Sequence, residues 1–225
     1  MECSGTMPVQ YREGKTRFLD MEILVDPRVL VPRPETELLV KAVADTCLEK
    51  GLKDPFVLDV GTGSGAISAG LAGSLAGCSI IASDVSRDAL CVARENVDRL
   101  GYAGRVTLAE SDMFEAFEDG YFEAFDVIVS NPPYVSEEDY AGLDAWVLAE
   151  PRIALYAGVE GMDHLNRLAK ESEKFLKKGG FLALEIGYDQ AEKVKDKLRL
   201  CGFRDIASFK DFNGYERVII GWKHG

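Results

Sequence analysis

VLDVGTGSGAI, residues 57–67, runs an apolar strand into a glycine-rich turn and then into the start of a helix. The three glycines permit positive φ angles and let a ligand approach the backbone closely. The first N–H groups of the helix that follows have no partner within that helix, so they are available to a polar or negatively charged ligand group. We therefore expect a ligand-binding loop made of Gly61, Thr62, Gly63, Ser64 and Gly65.

The loop alone leaves the type of ligand open. Gly61, Gly63 and Ala66 also satisfy the G-x-G-x-x-G/A pattern of dinucleotide-binding loops, so a nicotinamide-dependent dehydrogenase or a plain nucleotide-binding module is also consistent with it. A tight turn that only packs the helix against the strand is the purely structural alternative.

Outward from this loop, apolar runs of strand length alternate with helical segments. Parallel strands need crossover connections, which helices provide, so the alternation predicts an α/β fold with helices on both faces of a mostly parallel sheet. The last two strands are joined by a turn at Asn213 and Gly214 instead of a helix, which predicts an antiparallel last strand. The seven predicted strands are FVLDV, SIIASD, RVTLAES, FDVIVS, FLALEIG, RDIASF and ERVIIGW.

Prolines, glycines and capping residues predict where helices begin and end. Pro34 is suited to the first position of a helix, and Ser86 to the N-cap of another. Further helices are expected from about Ser64, over 189–200, and across 161–178, where the glycine pair that follows would end the helix.

The N-terminal part has a different pattern. Residues 16–26 carry apolar side chains at a loosely two-residue period, which predicts a small β-hairpin. No linker or low-complexity segment interrupts the rest of the chain. We therefore divide the chain into an N-terminal extension with the β-hairpin at residues 1–30 and a second domain at residues 31–225.

The composition disfavours several classes of protein. Acidic residues outnumber basic ones by 38 to 26, for a formal net charge of -12, and such a surface repels the phosphate backbone of nucleic acids. No apolar run is long enough for a membrane span, and the N-terminus lacks the features of a signal peptide, so we expect a cytoplasmic protein. The five cysteines form no CxxC pair, so neither disulfides nor a metal site are predicted.

Two acidic residues end the strands that follow the loop. Asp84 closes SIIASD, 19 positions after Gly65, where a carboxylate is suited to accept both hydroxyl groups of a ribose. Its structural alternative is to help cap the helix after Ser86. Asp112 ends the third strand and offers polar atoms to the edge of an adenine, and Met113 offers a face to its ring. Met113 would serve the hydrophobic core equally well.

SNPPYVSE, residues 130–137, follows a buried strand at the sheet edge where ligands bind in doubly wound folds. Pro132 and Pro133 have fixed φ and no N–H group, so the backbone there is stiff and presents carbonyl acceptors. Asn131 adds a side-chain acceptor, and Tyr134 a flat face for a planar group. The four residues are suited to bind an NH2 group through both hydrogens, and a proline-rich strand terminator is the structural alternative.

Binding an NH2 group in this way has a chemical consequence. In an amide or an aminopurine the nitrogen lone pair is delocalised, so the nitrogen is planar and a poor nucleophile. Acceptors placed out of that plane favour a more tetrahedral nitrogen, whose lone pair points at an electrophile, and this stabilises the transition state over the ground state. The predicted catalytic residues are Asn131, Pro132, Pro133 and Tyr134.

With these motifs the chain resembles the S-adenosylmethionine-dependent methyltransferases of the Rossmann-like class I fold. The DVGTGSG loop, the acid after the second strand and NPPY after the fourth carry this resemblance. More narrowly, the chain resembles the release factor glutamine methyltransferases of the HemK/PrmC type. That resemblance lies in the segments 29–39, 150–158, 179–190 and the closing KDFNGYERVIIG.

The resemblance implies methyl transfer from S-adenosyl-L-methionine to the side-chain amide of the GGQ glutamine in a peptide-chain release factor. The partner is then a protein, and neither nucleic acid nor membrane is expected. Arg33, Glu35 and Thr36 are candidates for the site, and Glu185 either touches it or accepts a hydrogen bond behind it. The cofactor-binding residues implied are Gly61, Thr62, Gly63, Ser64, Gly65, Asp84, Asp112, Met113 and Asn131.

Two related activities stay open at this point. Methylation of an adenine amino group in DNA or RNA uses the same NPPY chemistry, but it needs base extrusion and a basic groove, which the charge of -12 disfavours. Ribosomal-protein glutamine methyltransferases are closer, and the PETE sequence after Arg33 argues for the release factor. The family usually carries a helical domain before the hairpin, whereas about ten residues precede it here. His164 and His224 are expected at the surface.

Overall fold

The computed structural model of the chain describes residues 7–224. Residues 1–6 of the predicted N-terminal extension, with Cys3, and residue 225 lie outside the described residues. The helices are α1 (Val9–Glu13), α2 (Pro34–Glu49), α3 (Ala66–Ser74), α4 (Arg87–Arg99), α5 (Glu137–Ala141), α6 (Asp163–Glu171) and α7 (Ala191–Leu200). The strands are β1 (Lys15–Phe18), β2 (Met21–Leu24), β3 (Phe56–Val60), β4 (Ser79–Asp84), β5 (Val106–Glu110), β6 (Phe125–Ser130), β7 (Leu176–Glu185), β8 (Phe203–Lys210) and β9 (Glu216–Lys223).

The seven strands from β3 to β9 form one sheet in the order β5-β4-β3-β6-β7-β9-β8. Neighbouring strands are parallel except for β9, which is antiparallel to both β7 and β8. The predicted α/β fold, with a mostly parallel sheet and an antiparallel last strand, is thereby confirmed. The strand order reverses between β3 and β6, and such a switch point leaves a crevice at the carboxyl ends of the strands, where ligands bind.

Helices cover both faces of the sheet, and side chains alternate between the faces along each strand. On β3, Val57 belongs to the apolar cluster that includes α2, α3 and α4, and Leu58 to the cluster that includes α6 and α7. Strands buried on both faces are apolar at successive positions, which explains why they appear in the sequence as continuous apolar runs.

The predicted N-terminal hairpin is present as the antiparallel pair β1 and β2. Its Ile23 is fully buried in the first apolar cluster. The Leu19 N–H donates a hydrogen bond to Glu37 Oε1 of α2 at 2.8 Å, and the Leu24 N–H donates to Asn96 Oδ1 of α4 at 2.7 Å. The hairpin is therefore fastened to two helices that flank the sheet.

Two predicted helix starts are confirmed. Pro34 is the first residue of α2, where its missing N–H costs the helix nothing. The Ser86 hydroxyl caps α4 by accepting a hydrogen bond from the Ala89 N–H at 3.2 Å. A helix cap depends only on neighbouring residues, so both helix starts can be predicted from the sequence.

The helix predicted across 161–178 is wrong in its second half. α6 ends at Glu171, a single 3-10 turn follows, and β7 begins at Leu176. Leu176 is fully buried and pairs with Phe125 of β6, so burial in the sheet outweighs the helical spacing. Gly179 has φ of 77° and lies in β7 where the register against β6 shifts, so it marks a strand irregularity instead of a helix end.

Candidate active site

A cavity of about 300 Å³ opens at the carboxyl ends of β3, β4, β5 and β6, at the switch point of the sheet. Gly65 and Tyr134 are not among the residues that line it. The predicted site residues that do line it are Thr36, Gly61, Thr62, Gly63, Ser64, Asp84, Asp112, Met113, Asn131, Pro132 and Pro133.

Backbone hydrogen bonds hold the glycine loop between β3 and α3. The N–H groups of Gly61 and Thr62 both donate to the Ser83 carbonyl oxygen, at 2.8 and 2.9 Å. Gly65 is the N-cap of α3 with φ of 80°, and a Cβ added there would lie 3.2 Å from the Ala93 Cβ of α4. Glycine at this position therefore serves the close packing of α3 against α4.

A buried carboxyl group that the sequence analysis did not single out lies beside the loop. Asp59 on β3 is fully buried, and its Oδ2 accepts hydrogen bonds from the hydroxyl groups of Thr62 at 2.7 Å and Ser68 at 2.6 Å. Its Oδ1 has no partner within residues 7–224. Burial raises the pKa of Asp59 to about 6, although both hydroxyl groups lower it. The sequence did contain a signal, because an acid interrupts the apolar run two residues before the first glycine.

Asp84, at the end of β4, joins the loop to α4. Its Oδ2 accepts a hydrogen bond from the Gly63 N–H and its Oδ1 one from the Ser86 N–H, both at 2.9 Å. Burial raises the pKa of this carboxyl group, and the backbone donors lower it. Each carboxylate oxygen has capacity for a further hydrogen bond, and the side chain lines the cavity. Asp84 therefore stabilises the loop and still offers acceptors to a ligand.

The turn after β5 places Asp112 and Met113 at the cavity wall. Met113 has a positive φ of 51°, and its carbonyl oxygen accepts a hydrogen bond from the Ser111 hydroxyl at 3.0 Å, which holds this unusual backbone conformation. Asp112 forms an ion pair with Arg167 of α6, with 2.7 Å between Oδ1 and Nη1. Phe114 is buried in the second apolar cluster. Of the two apolar residues in this turn, Met113 is the one that a ligand would contact.

The NPPY residues follow β6 directly. Asn131 Nδ2 donates a hydrogen bond to Thr36 Oγ1 of α2 at 3.1 Å, and no hydrogen bond to its Oδ1 is found within the described part of the chain. Because α2 engages the amide nitrogen, the oxygen is the free acceptor of this side chain. Pro132 and Pro133 line the cavity beside it.

Tyr134 packs against the second apolar cluster and against Arg217 of β9. Arg217 Nη2 donates to the Tyr134 hydroxyl at 3.2 Å, and the guanidinium carbon lies 5.7 Å from the ring centroid. The Tyr134 carbonyl oxygen accepts a hydrogen bond from Gln190 Nε2 at 3.0 Å. Burial, and then the Glu185 carboxyl group, raises the pKa of Tyr134 to about 12. The phenol is therefore protonated at neutral pH and cannot act as a base.

Segments 28–30 and 151–154 contribute to another part of the wall. Arg33 Nη2 forms an ion pair with Oε2 of the buried Glu150, whose Oε1 accepts a hydrogen bond from the Val31 N–H at 3.1 Å. Arg33 is not itself a lining residue, so this candidate holds two wall segments together from outside the cavity.

Glu185 ends β7 and is fully buried, and neither carboxylate oxygen has a hydrogen-bond partner within residues 7–224. Burial raises the pKa of Glu185 to about 7, with Glu35 acting in the same direction. Thr36, Arg217 and Asn131 are close enough to lower it. Glu185 therefore lies next to Thr36 and Asn131 without lining the cavity.

The two histidines differ in their surroundings. The expectation that His164 lies at the surface is wrong, because the first turn of α6 borders the cavity and its imidazole is a half-buried lining residue. Burial lowers the pKa of His164, and the nearby carboxylates of Asp163 and Asp112 raise it. His224 is exposed as expected, with Nε2 2.8 Å from Asp205 Oδ2.

Sequence reasoning did not select His164 or Arg167, because no local pattern indicates which part of α6 faces the cavity. Within residues 7–224, no group of three or more His, Cys, Asp or Glu is arranged to hold a metal ion. None of the helices in that range has the length and apolar character needed to cross a bilayer.

Comparisons with known proteins match the chain to methyltransferases. The Methyltransferase small domain family matches residues 34–148. The chain is 41% identical over 217 residues to the release factor glutamine methyltransferase of Chlorobaculum tepidum, covering 94% of this chain and 73% of that protein. It is 39% identical over 220 residues to the release factor glutamine methyltransferase of Moorella thermoacetica, covering 96% of this chain and 75% of that protein.

A solved structure agrees with these relatives. The release-factor-specific protein-(glutamine-N5) methyltransferase of Alicyclobacillus acidocaldarius superposes with a TM-score of 0.54 at 29% identity, over 89% of this chain and 99% of that one. The sequence relatives and this structural neighbour therefore carry the same kind of name.

Proposed function

The chain belongs to the release factor glutamine methyltransferase family, and from this premise we propose that it transfers a methyl group from S-adenosyl-L-methionine to the side-chain amide nitrogen of the GGQ glutamine in a peptide-chain release factor. The observation that carries the proposal is the position of Asn131. In a chain about 40% identical to glutamine methyltransferases, its free amide oxygen belongs to a residue that lines the same cavity as the glycine loop.

The groups around the cavity fit S-adenosyl-L-methionine, which supplies an electrophilic methyl group on a positively charged sulfur when bound. Asp84 would accept hydrogen bonds from the two ribose hydroxyl groups. Met113 would cover one face of the adenine, and Asp112, beside Arg167, would accept from its amino edge. The loop residues Gly61, Thr62, Gly63 and Ser64 would make the remaining contacts, with Gly65 shaping the loop and Asn131 next to the methyl group.

Asn131 Oδ1 and the carbonyl oxygens of the NPP backbone bind the two hydrogens of the glutamine amide. Acceptors placed out of the amide plane draw the nitrogen out of conjugation, so its lone pair becomes available for the new N–C bond. Pro132 and Pro133 keep these acceptors rigid. After the S–C bond breaks, the methylated nitrogen carries one proton too many and is acidic, so it releases that proton to solvent without a dedicated base. Tyr134 does not line the cavity, so the role of its ring as a flat face for the amide stays a prediction.

The release factor activity is favoured over the two alternatives. The relatives that share about 40% of this sequence over most of its length are named for release factors. A net charge of -12 disfavours a nucleic acid partner, so a protein partner without direct nucleic acid contact is part of the proposal. The domain boundary between residues 30 and 31 and a cytoplasmic location are further parts of it.

The direct test is to incubate the chain with methyl-labelled S-adenosyl-L-methionine and a full-length release factor, and to locate the label by peptide mass spectrometry. We expect one methyl group on the GGQ glutamine. A release factor with that glutamine replaced by asparagine is the matched control and should stay unlabelled. Label on single-stranded or duplex DNA or on RNA, with none on the glutamine, would refute the proposed substrate.

Cofactor choice is tested separately by thermal unfolding. S-adenosylhomocysteine in excess is expected to raise the melting temperature, because a ligand that binds only the folded state stabilises it. NAD at the same concentration should leave the melting temperature unchanged. Stabilisation by NAD alone would contradict the proposed use of the cavity.

A further inference from the structure

Asn131 helps the proposed reaction only when its amide oxygen faces the glutamine. Its NH2 end is a donor and would oppose the NH2 group of the substrate. The two ends of an asparagine amide have nearly the same shape, so packing alone does not select between the two orientations. We propose that Thr36 and Glu185 are positioning residues that select the orientation of the Asn131 amide, with its nitrogen toward α2 and its oxygen free for the substrate. The proposal rests on the proposed function of Asn131.

The first link is the hydrogen bond between Asn131 and Thr36. Thr36 is buried at the third position of α2, and its Oγ1 lies 3.1 Å from Asn131 Nδ2. Within residues 7–224 this is the only side-chain hydrogen bond found for Thr36. A hydroxyl group that accepts one hydrogen bond still has its own hydrogen to donate. Thr36 lines the cavity but is only 3% exposed, so that hydrogen needs an acceptor within the protein.

The second link is the carboxyl group of Glu185. It is fully buried at the end of β7, next to Thr36 and Asn131. Within the described residues, no donor forms a hydrogen bond of standard geometry with either of its oxygens. An ionised carboxylate only accepts hydrogen bonds, and a protonated carboxyl group still keeps one acceptor oxygen. The Thr36 hydroxyl is the neighbouring donor without another acceptor, so its hydrogen points toward Glu185.

The two hydrogen bonds run in the same donor-to-acceptor direction, from Asn131 to Glu185. The Asn131 NH2 group donates to the Thr36 oxygen, and the Thr36 hydroxyl donates to Glu185. Because this series of hydrogen bonds ends in an acceptor, each group in it must donate its hydrogen to the next group. With the Thr36 hydrogen directed at Glu185, the opposite amide orientation would bring the Asn131 oxygen against the Thr36 oxygen with no hydrogen between them, which is unfavourable.

A separate structural role for Glu185 does not account for its position. No ion pair within the described residues includes Glu185. The nearest basic group, Arg217 on β9, donates instead to the Tyr134 hydroxyl at 3.2 Å. Glu35 on α2 adds negative charge on the same side. Glu185 is therefore a buried acceptor whose available donors are those that orient Asn131.

The test uses isosteric removal of each link. Thr36→Val and Glu185→Leu are expected to lower kcat by about tenfold or more, the effect of losing one well-placed hydrogen bond. The dissociation constant for S-adenosylhomocysteine, measured by calorimetry, should stay within about twofold of wild type. Thr36→Ser keeps the hydroxyl group, and Glu185→Gln keeps one acceptor oxygen. Each should retain most of the kcat that Thr36→Val or Glu185→Leu loses. Thr46→Val is the matched control, since Thr46 is a buried threonine of the same helix away from the cavity.

Two further measurements separate this proposal from a general structural effect. In the Asn131→Ala background, Thr36→Val should lower kcat no further, because residues that act through Asn131 are not additive with its loss. In the ligand-free protein, the side-chain NH2 protons of Asn131, assigned by their absence in Asn131→Ala, should exchange slowly in wild type and faster in Thr36→Val. The exchange measurement also holds if Glu185→Leu fails to fold.

The outcomes distinguish the positioning proposal from the proposed function. If Asn131→Ala lowers kcat but Thr36→Val and Glu185→Leu leave kcat and the exchange rate as in wild type, the positioning proposal is overturned and the proposed function stands. If Asn131→Ala itself leaves kcat unchanged, the role of Asn131 in the proposed function fails, and the positioning proposal fails with it.

Discussion

Replacing Glu185 by glutamine is expected to make the protein more stable at mildly alkaline pH. Burial raises the pKa of the Glu185 carboxyl group from its ordinary value of 4.5 to about 7. In this pH interval the folded protein therefore binds a proton that the unfolded chain has released, and the free energy of unfolding falls as the pH rises. At about 1.4 kcal/mol for each pH unit, the interval from 4.5 to about 7 corresponds to a loss of about 3 kcal/mol.

Glutamine does not titrate, so Glu185→Gln lacks this loss. The free energy of unfolding of the variant minus that of wild type should increase by about 3 kcal/mol between about pH 4 and about pH 8. The buried Asp59, whose pKa is also raised, contributes with the same sign to both proteins and cancels in the difference. Urea unfolding at the two pH values measures both free energies.

The matched control is Glu138→Gln, which removes an exposed carboxylate at the start of α5. Because this carboxylate faces solvent, removing it should change the difference from wild type by far less than about 3 kcal/mol between the two pH values. If the difference between Glu185→Gln and wild type changes no more than this control, the reasoning from the burial of Glu185 is refuted.

Three other predictions follow from the site and its loop. Asn131→Ala should lower kcat by about a hundredfold, as for other lost transition-state hydrogen bonds, while the affinity for S-adenosylhomocysteine measured by calorimetry changes little; an unchanged kcat would contradict its role. Asp84→Ala should weaken S-adenosylhomocysteine binding by at least about tenfold, because charged hydrogen bonds to the ribose contribute about 1.5–3 kcal/mol. The control Asp88→Ala, at an exposed position, should leave the affinity unchanged. Equal affinities in the two variants would argue against the ribose contact. An alanine at positive φ costs about 1–2 kcal/mol, and Gly65→Ala should destabilise the protein by more than this, because its Cβ would lie 3.2 Å from Ala93. Gly101→Ala, with φ of 77° and open space around it, should have the backbone cost alone. The same loss for both variants in urea unfolding would contradict the packing role of Gly65.

The parts of the fold that were predictable depend on local chemistry. Pro34 and Ser86 start their helices through a missing N–H and a capping hydroxyl, which neighbouring residues alone determine. The strands are predictable because they are apolar on both faces. The segment from Glu171 to Leu176 was not, since its helical spacing competes with burial beside Phe125, and only the packed sheet decides that competition.

Some residues of the site could also be predicted from the sequence, and others could not. The glycine loop, Asp84 and the NPPY segment lie at the carboxyl ends of strands. Parallel strands share that edge of the sheet, so the sequence predicts that these residues lie close together. His164 and Arg167 could not be selected, because the face that α6 turns to the cavity depends on long-range packing.

The sequence by itself determined the α/β sheet, the loop and the motif proposed to bind the amide, because each is a short pattern of adjacent residues. Only the tertiary structure decided that Thr36 of α2 and Glu185 of β7 meet Asn131, which directly follows β6. These three residues lie far apart along the chain, and no local propensity encodes a contact between elements that meet only when the sheet and its helices have packed.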